Sequence, residues 1–173
     1  MKAIATLEYE DFLLRFGWGS GDACVEWAVA RLENDEEGDD LDIVLLVSAR
    51  GREEVLPLVE TILERYCGDE RVADEFMAGK YIAALRAAYL KGEETVESLD
   101  MKFSSMYSKL GYPDWLVMLS RNCEYALDIP AFEEPFEKEF EYVADLWASA
   151  QSLPEFNANY SREKSNLHDA VYR

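Results

Sequence analysis

Apolar residues recur along this chain mainly at steps of three and four, the spacing that lines one face of an α-helix. Val96, Leu99, Phe103, Met106 and Leu110 form one such stripe, with Glu97, Ser98, Lys102 and Lys109 on the other faces. Thr95 is placed to cap this helix, Gly111 to end it, and Pro113 with Asp114 to start the next. Leu116, Leu119, Cys123 and Leu127 repeat the stripe. Phe136, Phe140, Val143 and Trp147 repeat it again, before Pro154 stops the helix. Earlier in the chain, Asp22 is placed to cap a helix carrying Val25, Ala28, Val29 and Leu32. Glu53–Tyr66 reads as helix, with Pro57 close enough to its start to be tolerated. The stretch Val72–Leu90 is helical too, and its Ala83, Ala84, Ala87 and Ala88 would let another helix approach closely.

Leu41–Ala49 is the ambiguous segment, apolar nearly all round and rich in β-branched residues, as a buried strand would be. No second strand of similar quality exists to pair with it. A lone strand leaves its backbone hydrogen bonds unmet, so the segment is assigned as a buried helix. The expected architecture is all-α: an irregular multi-helix bundle or a short helix-pair stack of about seven or eight helices. It is expected as a single domain over 1–173, with 155–173 a docked C-terminal tail anchored by Phe156, Tyr160, Leu167 and Tyr172. The tight connections near Gly51–Arg52, Gly92–Glu93 and Gly111–Tyr112 suit antiparallel neighbours.

Composition narrows the function classes. Of 173 residues, 49% are hydrophobic and 13% aromatic, enough for a sizeable core. Thirty-six acids against 17 bases give a net charge of −19. Such a surface repels phosphate, which argues against nucleic acid and anionic membrane as partners. Glu8, Glu10 and Asp11 end the first apolar stretch too early for a signal peptide. Cys24, Cys67 and Cys123 are odd in number, far apart and set among apolar neighbours, which disfavours disulfides and zinc. The expected location is a reducing cytoplasm.

Candidate chemistry is sparse. Gly17-Trp18-Gly19-Ser20-Gly21 has no lysine and reads as a turn. The one histidine, His168 beside Asp169, lacks an identifiable catalytic partner. Glu93-Glu94-Thr95-Val96-Glu97 resembles the first half of the magnesium motif of all-helical nucleotide pyrophosphatases. The second half would be a downstream Glu-x-x-Asp, and both Glu124–Asp128 and Glu141–Asp145 are one residue too long. No catalytic residue, cofactor or metal is therefore assigned, and a magnesium-dependent nucleotide pyrophosphohydrolase is the alternative reading. The densest feature is ENDEEGDDLD, which holds Glu33, Asp35, Glu36, Glu37, Asp39, Asp40 and Asp42 with no base. It fits a solvated loop, or an electrostatic docking surface for a basic protein. A calcium loop is excluded, because counting from Asp35 puts Asp40 at the position of the obligate glycine and Leu46 at that of the final glutamate. A second acidic stretch, Glu124–Asp145, sets eight acids against Lys138.

The order of these pieces is also informative. Phe16-Gly17-Trp18 leads to Trp27-Ala28-Val29, the acidic loop, Leu41–Ala49 and the acid-apolar helix Glu53–Glu64. Lys80-Tyr81, Leu85 and Tyr89 follow, and then Gly111-Tyr112-Pro113-Asp114. Over residues 9–125 this order resembles a family of small, acidic, helical bacterial proteins of unknown function. Such proteins resemble the immunity partners encoded beside secreted toxins. The resemblance implies a non-enzymatic protein that binds a toxin domain, and the charge of the acidic run makes Glu33–Asp42 the candidate docking residues. Many nuclease toxins are basic because they track phosphate, so an acidic inhibitor would match them in charge. A structural or adaptor helical domain is a further alternative.

Overall fold

A computed structural model describes residues 2–161, with side chains from Ile4 onward. Every regular element among them is helical, and none is a strand, in agreement with the all-α expectation. Nine α-helices occur among the described residues, against the seven or eight expected. By packing, the chain falls into two compact units, Met1–Val72 and Ala73–Arg173.

The first unit comprises α1 (Lys2–Phe16), α2 (Asp22–Glu33), α3 (Leu41–Ser48) and α4 (Gly51–Cys67), followed by a 3-10 turn at Gly68–Glu70. Asp22 is the first residue of α2 and not its expected cap, which is Gly21 without a side-chain bond. Helix α4 packs against α1, α2 and α3, and α2 also packs on α1 and α3. Their shared core holds Leu7, Leu14, Ala28, Leu46, Val59 and Ile62, all fully or almost fully buried. The glycine-rich segment after α1 is a turn, as expected: the Gly17, Trp18 and Gly19 amides donate to the Leu13 and Leu14 carbonyls. Arg52 Nε donates to the Leu14 carbonyl at 3.0 Å, so α4 closes the end of α1. Trp18 lies against Phe16 and Phe12 at centroid distances of 5.2 and 6.1 Å and covers that aromatic pair.

One buried acid ties the ends of this unit together. The Asp11 side chain is fully buried and binds Arg15 at 2.8 Å and Arg71 at 2.6 Å. Next to it, Glu8 accepts the Val72 amide at 3.0 Å. Removing one partner of such a group is costly because a desolvated charge is left uncompensated.

Segment Leu41–Ser48 is helical, as the lone-strand argument requires, but it is not buried all round. Ile43 and Leu46 face the core, whereas Leu41, Val44 and Leu45 are 66%, 42% and 46% exposed. Helix α4 starts at Gly51, earlier than its apolar pattern suggests, which places Pro57 inside the helix. Pro57 lies on the exposed face, where water can solvate the carbonyl that its missing N–H leaves free.

The second unit comprises α5 (Asp74–Leu90), α6 (Val96–Lys109), α7 (Asp114–Asp128), a 3-10 turn at Pro130–Phe132, α8 (Glu133–Ser149) and α9 (residues 153–161). Thr95 caps α6 as expected and forms a reciprocal box with Ser98, at 2.9 and 3.2 Å. Gly111, at φ +74°, ends that helix in the left-handed region. Pro154 has a different role from the expected stop signal. Helix α8 already ends at Ser149, and Pro154 sits in the first turn of α9, where its lack of an N–H is harmless. The expected tail thus begins as a helix, with Phe156 and Tyr160 buried. Leu167, His168, Asp169 and Tyr172 lie outside the described residues.

Helix α8 packs on α5 and α7, and α6 packs on α7. The close approach of α5 is at Ala78 and Gly79, whereas Ala84 and Ala87 are exposed. The Trp147 indole lies on Gly79, where any added Cβ would overlap its ring. Phe156 stacks on Trp147 at 3.5 Å and 3°, and Trp115 meets it edge-on at 5.1 Å. Lys80, one residue after Gly79, donates to the Trp147 and Ala150 carbonyls at 2.7 and 2.5 Å. It thereby satisfies the C-terminal end of α8 while its ammonium lies 4.9 Å from the Phe76 ring centroid. Burial pulls the Lys80 ammonium below its ordinary range.

Gly79→Ala reports on this packing because its expected sign is reversed. In an exposed helix the change stabilises by about 1 kcal/mol. Here it should destabilise by roughly 3 kcal/mol, since the indole cannot yield to the new methyl. Urea denaturation should show the loss, while Ala84→Ser should stay within about 0.5 kcal/mol of the parent.

Candidate functional site

The acidic run lies between α2 and α3 in the first unit and is folded into tight turns. The Glu36 amide donates to the Arg31 carbonyl at 2.8 Å and the Asp35 amide to the Leu32 carbonyl at 3.2 Å. Asp35 takes a left-handed φ of 52°, a conformation that aspartate tolerates better than most residues.

The seven acids do not act alike. Asp40 is buried, and its Oδ1 accepts the Asp42 amide at 3.0 Å, which caps α3. The same carboxylate pairs with Arg65 at 2.5 Å and accepts the Tyr66 hydroxyl at 2.8 Å. Asp42 takes the other arm of Arg65, also at 2.5 Å. Arg65 and Tyr66 are adjacent on α4, so one helical turn fixes the far end of the run. Glu36 pairs with Arg31 at 3.0 Å. Glu37 is half-buried. Glu33, Asp35 and Asp39 are exposed and form no ion pair among the described residues. A run without a base in sequence thus acquires Arg31 and Arg65 in space, and the uncompensated carboxylates are those turned to water.

Burial by itself would raise the Asp40 carboxyl. The hydrogen bonds from Arg65, Tyr66 and the Asp42 amide outweigh it and hold the group below the usual carboxylate range. The same contacts raise Arg65, through Asp40 first and Asp42 second.

Two depressions adjoin this run. An open groove is lined by Asp39, Asp40, Leu41, Asp42, Arg65 and Tyr66. A cavity of about 280 Å³ is lined by Ile4, Trp27, Arg31, Glu36, Ile43 and Tyr66. Tyr66 lines both, so the two adjoin at that residue. Leu41, at the edge of the groove, shares a face of α3 with Val44 and Leu45, at i, i+3 and i+4. The surface therefore combines an exposed apolar face with an acidic border. Sequence reasoning missed its apolar half. The signal was present in Leu41–Ala49, whose apolar residues exceed what one buried helix face can take up.

The alternative metal cluster is arranged differently. Glu94 bonds to Lys102 and accepts the Ser98 hydroxyl at 2.6 Å, as part of the α6 cap. Burial opposes its charge, yet Lys102 and Ser98 outweigh that and keep the carboxyl below its usual range. Glu93 and Glu97 are exposed. No group of three acidic, histidine or cysteine side chains among the described residues could hold a metal ion. In the second acidic stretch, Glu137 pairs with Arg86 at 3.1 Å and accepts the Tyr89 hydroxyl, and Glu134 pairs with Lys138. Glu124, Asp128, Glu133, Glu141 and Asp145 are exposed. Burial pushes the Cys24 and Cys123 thiols up to about 12, which leaves little thiolate for nucleophilic chemistry at neutral pH. No helix among the described residues is long and apolar enough to cross a membrane. Comparison with known proteins yields no match to a protein family, a curated protein or a solved structure.

The Asp40 clamp has a definite pH dependence. Its folded-state pKa is lowered, so its stabilisation is present above the unfolded value of about 3.9 and is lost as pH falls through the folded value. Asp40→Asn should lower the melting temperature at pH 7 and match the parent once the acid is protonated in both states. Asp40→Ala should cost about 1 kcal/mol more than Asp40→Asn through loss of the cap. A stability gap between parent and Asp40→Asn that persists unchanged to pH 2 would refute the assignment.

Proposed function

We propose that this chain is a non-enzymatic binding protein, most concretely a cytoplasmic immunity protein that binds and neutralises a basic bacterial toxin domain. The observation that carries the reading is the pairing on α3 of an exposed apolar face with an acidic border. Specific interfaces combine a desolvated apolar centre with a polar rim. Leu41, Val44 and Leu45 supply the centre, and Glu33, Asp35 and Asp39 supply a rim of one sign. Such a rim selects a partner of opposite charge and accelerates encounter. A toxin that acts on nucleic acid carries that charge, and an acidic face competes with its substrate for the same cations. The alternative, a magnesium-dependent nucleotide hydrolase, would need Glu94 free to ligate, and Glu94 is engaged by Lys102.

The acids divide into two groups, and the test uses that division. Glu33→Gln, Asp35→Asn and Asp39→Asn together remove exposed charge and leave Asp40 and Asp42 on Arg65. Against a basic toxin domain found encoded beside this chain, the triple variant should associate about tenfold more slowly at low salt, with a nearly unchanged dissociation rate. High salt should erase the difference, because the screening length is then only a few ångströms. Leu45→Ala should act in the opposite way, through faster dissociation. Absence of binding to that domain, or unchanged association of the triple variant at low salt, would overturn the reading.

A further inference from the structure

The cavity beside the acidic groove supports an inference that deepens the binding reading and rests on it. Its volume, about 280 Å³, lies at the lower edge of what whole small molecules occupy, roughly 300 to 1,000 Å³, and suits a single large side chain. Ile4 and Ile43 make it apolar, and Trp27 and Tyr66 give it aromatic walls. Its two charged residues are already engaged with each other. The Arg31 guanidinium lies 5.1 Å from the Trp27 ring centroid and bonds Glu36 at 3.0 Å. Neither requires a counter-charge from an occupant, so the occupant is apolar. Its flanks are a different matter. Beyond Tyr66 lies the groove lined by Asp39, Asp40 and Asp42 with Arg65 as its one base, three carboxylates to one guanidinium. A chain that places a ring in the cavity brings its neighbouring residues over that excess of negative charge.

We propose that this cavity is a socket for one aromatic side chain, presented by a partner segment that carries Lys or Arg on either side of it. The ring contributes buried area where most binding energy concentrates, and the flanking cations select the segment and its register. Acidic and uncharged aromatic segments are discriminated against by the groove, and basic segments without a ring by the empty socket.

Three synthetic probes test this on the intact chain: Lys-Lys-Phe-Lys-Lys, Lys-Lys-Ser-Lys-Lys and Glu-Glu-Phe-Glu-Glu. Each is titrated while the Trp27 indole N–H and the amides of residues 33–42 are followed by NMR. The basic phenylalanine peptide should bind about tenfold or more tightly than the serine peptide, and it alone should shift the Trp27 indole. Both basic peptides should shift the loop amides, and the acidic peptide neither set. Equal affinities for the two basic peptides would overturn the socket and leave the acidic docking surface standing. No response of the loop to either basic peptide would overturn both. Binding of the acidic peptide as tight as that of its basic counterpart would remove the charge requirement. In the free protein, concentration-dependent shifts at Trp27 would identify a second copy as the occupant, and a nuclear Overhauser contact from residues 162–173 would identify this chain's own end; either would overturn the proposal. Ile4→Trp, placed to fill the cavity from its rim, should abolish the advantage of the phenylalanine peptide while circular dichroism stays helical. Should that variant fail to fold, the comparison of peptides on the parent chain decides.

Discussion

The arrangement of the candidate surface depends on one guanidinium. Arg65 reaches from α4 to both Asp40 and Asp42 and thereby fixes the start of α3 and its rotation about its own axis. The sequence of α3, LDIVLLVS, is too apolar for a helix that can bury only one side. At 100° per residue, Ile43, Leu46 and Val47 fall together, and Leu41, Val44, Leu45 and Ser48 fall opposite. With Asp40 and Asp42 held by Arg65, the first set meets the core and the second meets water. The hydrophobic pattern alone does not choose between the two sets, since each holds three large aliphatic residues. The ion pairs and the Asp40 cap accompany the exposed apolar face, and its cost in solvation is borne by the packing of α2 and α4 around Ile43 and Leu46.

The second unit is organised by a different kind of constraint, the absence of a side chain. Gly79 lets the Trp147 indole lie on the backbone of α5, and Phe156 and Trp115 then close on the same ring. A helix glycine costs about 1 kcal/mol in conformational entropy relative to alanine. The aromatic stack offsets it, since edge-on and stacked ring pairs contribute beyond their buried area. Lys80, adjacent in sequence, adds the polar half of the same contact by donating to the last carbonyls of α8. One glycine-lysine pair therefore serves both the apolar and the hydrogen-bonding demands of a helix end.

What was legible in the sequence was local. The Thr95 cap, the Gly111 stop and the apolar stripes depend on residues within one or two turns of each other, and they appear where their spacing puts them. The helical state of Leu41–Ser48 was legible by elimination, because a strand needs a partner. What was hidden depends on residues distant in the chain. Nothing near Gly79 announces Trp147, which lies on another helix, so the neighbouring alanines looked like the point of close approach. Pro154 was ambiguous for a physical reason: its missing N–H suits the residue after a helix and the first turn of the next equally well. In the candidate site, the acidic run was evident, but its division into inward and outward carboxylates was not. That division is made by Arg31, Arg65 and Tyr66, none of which lies within the run.

The division resolves an apparent conflict in the acidic loop. Seven carboxylates in ten residues repel one another, and a loop of like charge tends to extend rather than fold. Here two of the chain's 17 bases are placed on its inner side, where they pair with Glu36, Asp40 and Asp42. These cations offset three of the carboxylates, and Glu33, Asp35 and Asp39 face water unpaired among the described residues. The loop is held by these pairs at contact distance, while Glu33, Asp35 and Asp39 project their field over a distance comparable to the screening length. Folding and attraction therefore draw on different members of one run. Charge can be altered on the outer side with little effect on the fold, whereas a single change at Asp40 disturbs α3 itself.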